Sequence, residues 1–272
     1  MNLHRNYATS WNDENSMKET RYFYVPDAKT GNELPTEEAA HCLRVLRLSE
    51  GDEINLMDGC GTFYRAEITT ATNKRCMYRI LDEQKQPREW LGHLHLAVAP
   101  TKNIDRIEWL AEKATEIGFD ELSFLECRFS ERKVVKTDRI NKILVSAMKQ
   151  SHKSAKPILN ELEDVKKFVK RTFSGQKFIA HCYDEADING EELPCDEVEK
   201  RMGRGTPLLW DVLTPGEDAL VMIGPEGDFS VEEVRLALAN GFRSVSLGRS
   251  RMRTETAALV AVHLMHLRNE VL

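Results

Sequence analysis

The stretch Ala219-Leu220-Val221-Met222-Ile223-Gly224-Pro225-Glu226-Gly227-Asp228-Phe229-Ser230-Val231-Glu232-Glu233 decides the fold. Its first five residues are a continuous apolar run, which reads as a strand buried on both faces. Ser230 with Glu233 three positions on is a capping box, and it opens a helix that Gly241 stops. Strand, tight turn and helix together make the repeating unit of an open α/β sheet. Ligands of such sheets gather beyond the carboxyl ends of the strands. Two glycines in this turn let backbone amides approach a ligand closely, Pro225 stiffens it, and Glu226 places a carboxylate at the same edge.

The unit recurs in both directions. Residues 94–99 and 122–125 read as strands. Between them Ile104, Ile107, Leu110, Ala111, Ala114 and Ile117 line one helix face, with Asn103 as N-cap and Gly118 as the stop. A helix over 138–150 turns Ile140, Ile143, Leu144, Ala147 and Met148 inward. Residues 178–183 and 244–247 read as strands, and Thr254 caps a last helix running through Val262 toward Leu267. This alternation predicts a mostly parallel sheet covered on both faces.

Residues 21–86 differ. Strands over 22–25, 53–57 and 62–68 alternate with turn signals such as Asp58-Gly59, which suggests a small β-barrel or sandwich. A helix over 37–48 places Ala40, Leu43, Val45 and Leu46 near one face. Residues 86–92 look like a linker. Residues 1–16 read as a disordered leader, which gives domains over 17–88 and 92–272.

Lys+Arg total 38 against Asp+Glu 44, a net charge of −6, so the chain is not a globally basic nucleic-acid binder. The charge is segregated, however. Residues 126–156 carry nine Lys/Arg against three acids, and 241–254 add Arg243, Arg249, Arg251 and Arg253 with no acid. Such segments can attract a polyanion. The acidic stretch 184–199 reads as a solvated loop. No run approaches the ~18 apolar residues of a membrane span. The N-terminus is polar and unlike a secretory signal. The six cysteines are scattered without a C-x-x-C pair, which favours a reducing cytoplasm over disulfides or zinc. His93-x-His95 and His263-x-x-His266 lack carboxylate or cysteine partners nearby in sequence, so no metal is expected. There is no G-x-G-x-x-G after a strand, no phosphate-binding P-loop and no G-x-S-x-G elbow.

A second informative turn is Leu247-Gly248-Arg249-Ser250-Arg251-Met252-Arg253-Thr254-Glu255-Thr256-Ala257. Arginines next to a helix N-terminus oppose the helix dipole. An anionic ligand would relieve that conflict.

Together these segments resemble the RsmE family of 16S rRNA uridine N3-methyltransferases, within the SPOUT superfamily. The likeness is carried by R-Y-F at 21–23, H-C-L-R-V-L-R-L at 41–48, G-D at 51–52 and D-G-x-G at 58–61. It continues with R-I-E-W-L-A-E-K-A-T-E-I-G at 106–118, S-E-R at 130–132, K-Q-S at 149–151, I-G-P-E-G at 223–227 and R-T-E-T-A at 253–257. Asp228 departs from it, standing where the family usually has a second Gly. Ser250-Arg251-Met252-Arg253 departs from the family's R-I-L-R.

The resemblance implies a PUA-like β-barrel followed by an α/β domain with a deep trefoil knot, and a cytoplasmic homodimer. It also implies S-adenosylmethionine as cofactor and methylation of N3 of a specific uridine in the 16S rRNA of the small ribosomal subunit. Cofactor contacts are expected at Ile223, Gly224, Pro225, Glu226, Gly227, Leu247, Gly248, Met252 and His181. Arg253 is expected to stabilise charge and position the target. Glu226 is expected to accept the proton, with Glu255 as the alternative that orients Arg253. RNA contacts are expected at Arg21, Arg44, Arg47, Arg132 and Lys149. The rival readings are a SPOUT enzyme acting on ribose 2′-hydroxyls or tRNA, and a non-catalytic RNA-binding assembly factor.

Overall fold

The computed structural model describes residues 21–72, 75–183, 185–189 and 205–271. The leader expected over 1–16 lies outside these, as do residues 184 and 190–199 of the acidic stretch. Strands β1 (Tyr22–Tyr24), β2 (Glu53–Met57), β3 (Thr62–Ala71) and β4 (Cys76–Lys85) form one sheet in that order. It is mixed: β1 runs parallel to β2, while β2–β3 and β3–β4 are antiparallel. The Asp58-Gly59 signal is realised locally. Asp58 Oδ1 accepts the amides of Cys60 and Thr62 at 2.7 and 3.0 Å, and Gly59 takes φ +73°.

The helix expected over 37–48 begins as α1 (Thr36–Ala40) and continues as a π-helical turn over His41–Val45. The wider turn displaces the 3.6-residue face. Ala39 and Cys42 therefore lie in the core with Leu43 and Leu46 packed against it, while Ala40 is only half-buried and Val45 is 66% exposed.

The rest of the chain builds the expected α/β unit. Strands β5 (Leu94–Val98), β6 (Glu121–Glu126), β7 (Ile158–Asp164), β8 (Gln176–Ala180), β9 (Ala219–Ile223) and β10 (Arg243–Val245) form a sheet ordered β10-β8-β9-β5-β6-β7. Every neighbouring pair is parallel. All five residues of β5 and of β9 are buried, as their apolar runs require. Helices α2 (Ile104–Ile117), α3 (Thr137–Ser151) and α8 (Thr254–Asn269) cover one face. On the other lie α4 (Val165–Phe168) and α7 (Val231–Ala239), with α5 (Glu185–Asn189) packed against α7. The short α6 (Leu209–Val212) packs on α8. The Asn103 cap forms, its side chain accepting from Asp105 N, and Gly118 ends α2 at φ +114°. The capping box Ser230–Glu233 is complete. Thr254 is not the cap of the last helix. It is the first helical residue, and Arg253 holds the cap position without a side-chain bond.

Segment 86–92 is packed rather than free. Trp90 is 6% exposed, its Nε1 donates to Asp120 Oδ2 at 2.8 Å, and its ring lies against His266. The two sheets also meet through α3. Met148 is buried with Met57 and Phe63, and Lys149 pairs with Glu38 at 2.6 Å.

The amino ends of β5 and β6 carry a polar cluster on the side away from the strand exits. Glu121 accepts from His93 at 2.7 Å and from Asn160 at 2.6 Å, and buried His95 meets Ser123 Oγ at 2.8 Å. The carboxylate partner that His93 lacks in sequence thus comes from the neighbouring strand. Burial lowers the His95 pKa to about 4, while the His93 bond lowers Glu121 to about 2 and raises His93. The signs separate. His95 stays neutral in the fold but takes a proton when unfolded, so stability falls as pH drops from 6.5 toward 4. His93 contributes most below 6.5 and loses its contribution as pH rises through its folded value. Glu121 contributes above 4.5 and fails only toward 2. Urea denaturation between pH 6.5 and 4.5 should therefore show a loss that reaches about 3 kcal/mol at its acid limit. His95→Asn should remove most of it, with buried His181 and His266 retaining a smaller share of the same sign. A flat wild-type profile would remove this account.

Candidate active site

In a parallel sheet the carboxyl ends of all strands share one edge. Here the exits of β5, β8, β9 and β10 converge, and side chains lace them together. Glu226 Oε1 accepts the amide of Lys102 at 2.9 Å, which ties the β9 turn to the β5 exit. Asp228 ties it to the β8 exit, with Oδ2 accepting from Cys182 N at 2.8 Å and Oδ1 from Phe229 N at 2.7 Å. Tyr183 OH donates to the Phe229 carbonyl at 2.8 Å. Buried Glu233 brings in the β6 exit, accepting from Ser230 N and Arg128 N, each at 2.7 Å. β10 pairs with β8 directly, and His181 at the β8 exit meets Ser244 of β10 at 2.7 Å.

The glycines of the β9 turn are set by packing. A Cβ on Gly224 would lie 3.0 Å from Phe229 N, and one on Gly227 3.1 Å from Phe129 Cβ. Ile223, Gly224 and Pro225 are buried, and Glu226 and Gly227 are exposed. Asp228 holds φ +64°, a region that Asp tolerates better than most residues. The same residue type supplies the two bonds just described, which gives a physical reason for Asp where Gly would otherwise serve. Asp228→Ala should remove both bonds and strain the turn, weakening cofactor binding about tenfold by calorimetry. Unchanged affinity would show that the tie is dispensable.

His181 presents its ring to the fold. Nδ1 accepts from Tyr183 N at 3.2 Å, leaving Nε2–H to donate to Ser244 Oγ at 2.7 Å, and burial keeps its pKa below the usual histidine value. Leu247 and Met252 are half-buried, and Gly248 is exposed at φ +126°. Arg249, Arg251 and Arg253 are exposed and form no hydrogen bond or ion pair among the described residues. Glu255, two residues past Arg253, is only 7% exposed. Its Oε1 lies 3.6 Å from Arg106 Nε, and its Oε2 has no partner.

The expected RNA contacts divide. Arg21, Arg44 and Arg47 are exposed on the N-terminal sheet and its π turn, with no side-chain partner among the described residues. Arg132 instead braces the β5 exit, donating to the carbonyls of Thr101 and Lys102, and Lys149 pairs with Glu38. Much of the basic segment is likewise answered within the chain. Arg128 meets Glu232, Lys133 meets Glu126, Arg139 meets Glu108, Lys142 meets Glu37 and Lys153 meets Glu89. A charge excess along the sequence is thus largely cancelled in space. Tyr183 lies at the strand end 181–183, which the sequence offers as a third loop of the site, whereas Asp228 and Glu233 are site residues it does not mark as such. The i, i+3 capping pattern alone points to Glu233, and Asp228 stands out only as a departure from the family's glycine. Among the described residues no group of His, Cys, Asp and Glu could hold a metal ion, and no helix is long and apolar enough to cross a membrane.

Comparison with known proteins agrees with this geometry. The RNA methyltransferase domain family matches residues 88–266, and the RNA methyltransferase PUA domain family matches residues 34–80. The ribosomal RNA small subunit methyltransferase E of Bacillus subtilis is 25% identical over 93% of this chain and 98% of its own length. A Porphyromonas gingivalis crystal structure described as a probable rRNA-methyltransferase is 40% identical, with TM-score 0.80, covering 92% of this chain and 98% of that one. The methyltransferase E of Neisseria gonorrhoeae, solved bound to S-adenosyl methionine, is 25% identical at TM-score 0.74, over 92% of this chain and 98% of that one. With a family match across most of its α/β half and a PUA match ahead of it, the chain belongs to the RsmE family of RNA methyltransferases.

Proposed function

We propose that the chain methylates N3 of a uridine in the 16S rRNA of the small ribosomal subunit, in the cytoplasm, using S-adenosylmethionine. The observation that carries this reading is the convergence of the β8, β9 and β10 exits, with the loop beyond β10 ending on Arg253, exposed and unpaired among the described residues. The donor set suits the cofactor. Backbone at Ile223 to Gly227, Leu247, Gly248 and Met252 can meet its polar atoms, and carboxylates at Asp228 and Glu226 suit a cationic centre. His181 contributes by holding the β8 exit. When bound, S-adenosylmethionine supplies an electrophilic methyl group.

Uracil N3 carries a proton and lies on the pairing edge, so the target must be unpaired and turned out of its stack. Loss of that proton leaves negative charge on the base, and we assign its stabilisation to Arg253. Glu226 spends one oxygen on the Lys102 amide, and we assign it to holding the turn. Arg21, Arg44 and Arg47 offer phosphate contacts.

The reading includes a threaded chain. α5 packs on α7 and α6 on α8, which lie on opposite faces of the sheet. Pro207 and Leu209 bond to Ser246 just beyond β10. The reading also includes a homodimer through the outward face of α8, where Val260 and Leu264 are half-buried and His263 and Leu267 exposed.

The test is nucleoside mass spectrometry of small-subunit RNA from a strain lacking the protein, with and without complementation. N3-methyluridine should vanish and return. Loss of a 2′-O-methyl nucleoside instead would overturn the assignment.

A further inference from the structure

A cavity of about 280 Å³ opens between the first turns of α2 and α8, lined by Asp105, Arg106, Trp109, Glu255 and Thr256. Its chemistry is unusual in two respects. Trp109 is 43% exposed although its indole could have been buried. Glu255 is nearly buried, yet Oε2 meets no donor, and buried polar atoms are rarely left so. Arg106 Nε lies 3.6 Å from the other oxygen. A ligand for this cavity needs a flat face for Trp109 and an N–H for Glu255. A carboxylate turns easily about its terminal bond, so either oxygen can meet that N–H.

The cavity lies next to the turns already described. Arg106 stands four residues beyond Lys102, whose amide Glu226 holds, and Glu255 stands two beyond Arg253. We infer that this cavity receives the extruded pyrimidine, stacked on Trp109 with its N3–H donated to Glu255. This rests on the reading of the chain as a uridine N3-methyltransferase. Nucleobases stack on aromatic side chains without regard to sequence, and a carboxylate is an acceptor for an imide N–H. As the N3–CH₃ bond forms and the cofactor's S–CH₃ bond breaks, the N3 proton passes to Glu255 and then to water. The positive charge of the sulfonium leaves as that proton, and the cofactor departs neutral at sulfur. Glu255 is thus the proton acceptor, and Trp109 a substrate-binding residue.

The experiment compares full-length wild type, Glu255→Gln, Trp109→Ala and Trp109→Phe on small-subunit particles from the deletion strain, with labelled S-adenosylmethionine. Glu255→Gln should lower kcat about a hundredfold or more with the RNA KM little changed. Its melting temperature should change little, because the amide fills the same volume and the long, partly exposed pair with Arg106 contributes little. Trp109→Ala should lower kcat/KM for RNA about tenfold or more, and Trp109→Phe should restore most of it. Cofactor affinity by calorimetry should match wild type in all three. A kcat for Glu255→Gln within twofold of wild type would overturn the inference. So would equal activity of the Trp109 variants and wild type. A changed sedimentation state in either would instead assign the cavity to an interface between copies. Failure of wild type itself to methylate these particles would count against the proposed function.

Discussion

Arg253→Ala should lower methyl transfer about a thousandfold while calorimetry still shows the cofactor bound. The size follows from losing a preorganised cation where negative charge develops on the base. The selectivity follows from where Arg253 sits. Its side chain is exposed, bonds to nothing among the described residues, and holds the cap position of α8 without capping it. A cation there opposes the helix dipole, so its removal should leave stability unchanged or raise it by about 0.5 kcal/mol. Lost activity with an intact melting curve would therefore read as lost chemistry. Lysine at 253 should recover part of the rate, because it keeps the charge without the planar fork. Full activity in the alanine variant would discard the assigned role.

Glu233→Ala should produce the largest stability loss predicted for a site residue, about 3 kcal/mol or more by urea denaturation. The carboxylate is 2% exposed and accepts two amides at 2.7 Å, its own cap residue Ser230 and Arg128 beyond β6. Hydrogen bonds to a charged acceptor contribute about 1.5–3 kcal/mol each, and deleting the acceptor strands both donors. The effect should not be confined to stability. Ser230 ends the turn that starts at Gly224, so cofactor affinity should weaken along with the urea midpoint. Glu233→Gln, which retains one acceptor oxygen, should fall between wild type and alanine. A stability equal to wild type in Glu233→Ala would show that the β6 exit is held by other means.

The legible elements are those whose signals are local. β5 and β9 are apolar runs because both faces are covered, and α2 and α7 carry their own caps. β7 gives no such signal. None of its seven residues is fully buried, because it closes the sheet edge. β4 turns polar past Leu81 for a similar reason. The face expected of 37–48 failed at Val45 because a π turn inserts where 3.6-residue spacing assumes none. The basic stretch 126–156 looks different in space than along the chain. Its charges count together along the chain, but their acidic partners Glu37, Glu38, Glu89, Glu108 and Glu232 lie far away in sequence.

By itself the amino-acid sequence determined a parallel α/β sheet, the two glycine-bearing turns beyond β9 and β10, and the order of motifs that marks the family. Hydrophobic periodicity, capping and turn residues act over a few positions and survive reading along a line. Tertiary structure alone decided that Asp228 would tie β9 to β8 and that Arg132 would brace the β5 exit. It also left Glu255 beside Trp109 with an unanswered oxygen. Each of these depends on which residues, distant in sequence, come within hydrogen-bond reach, and no local propensity specifies that.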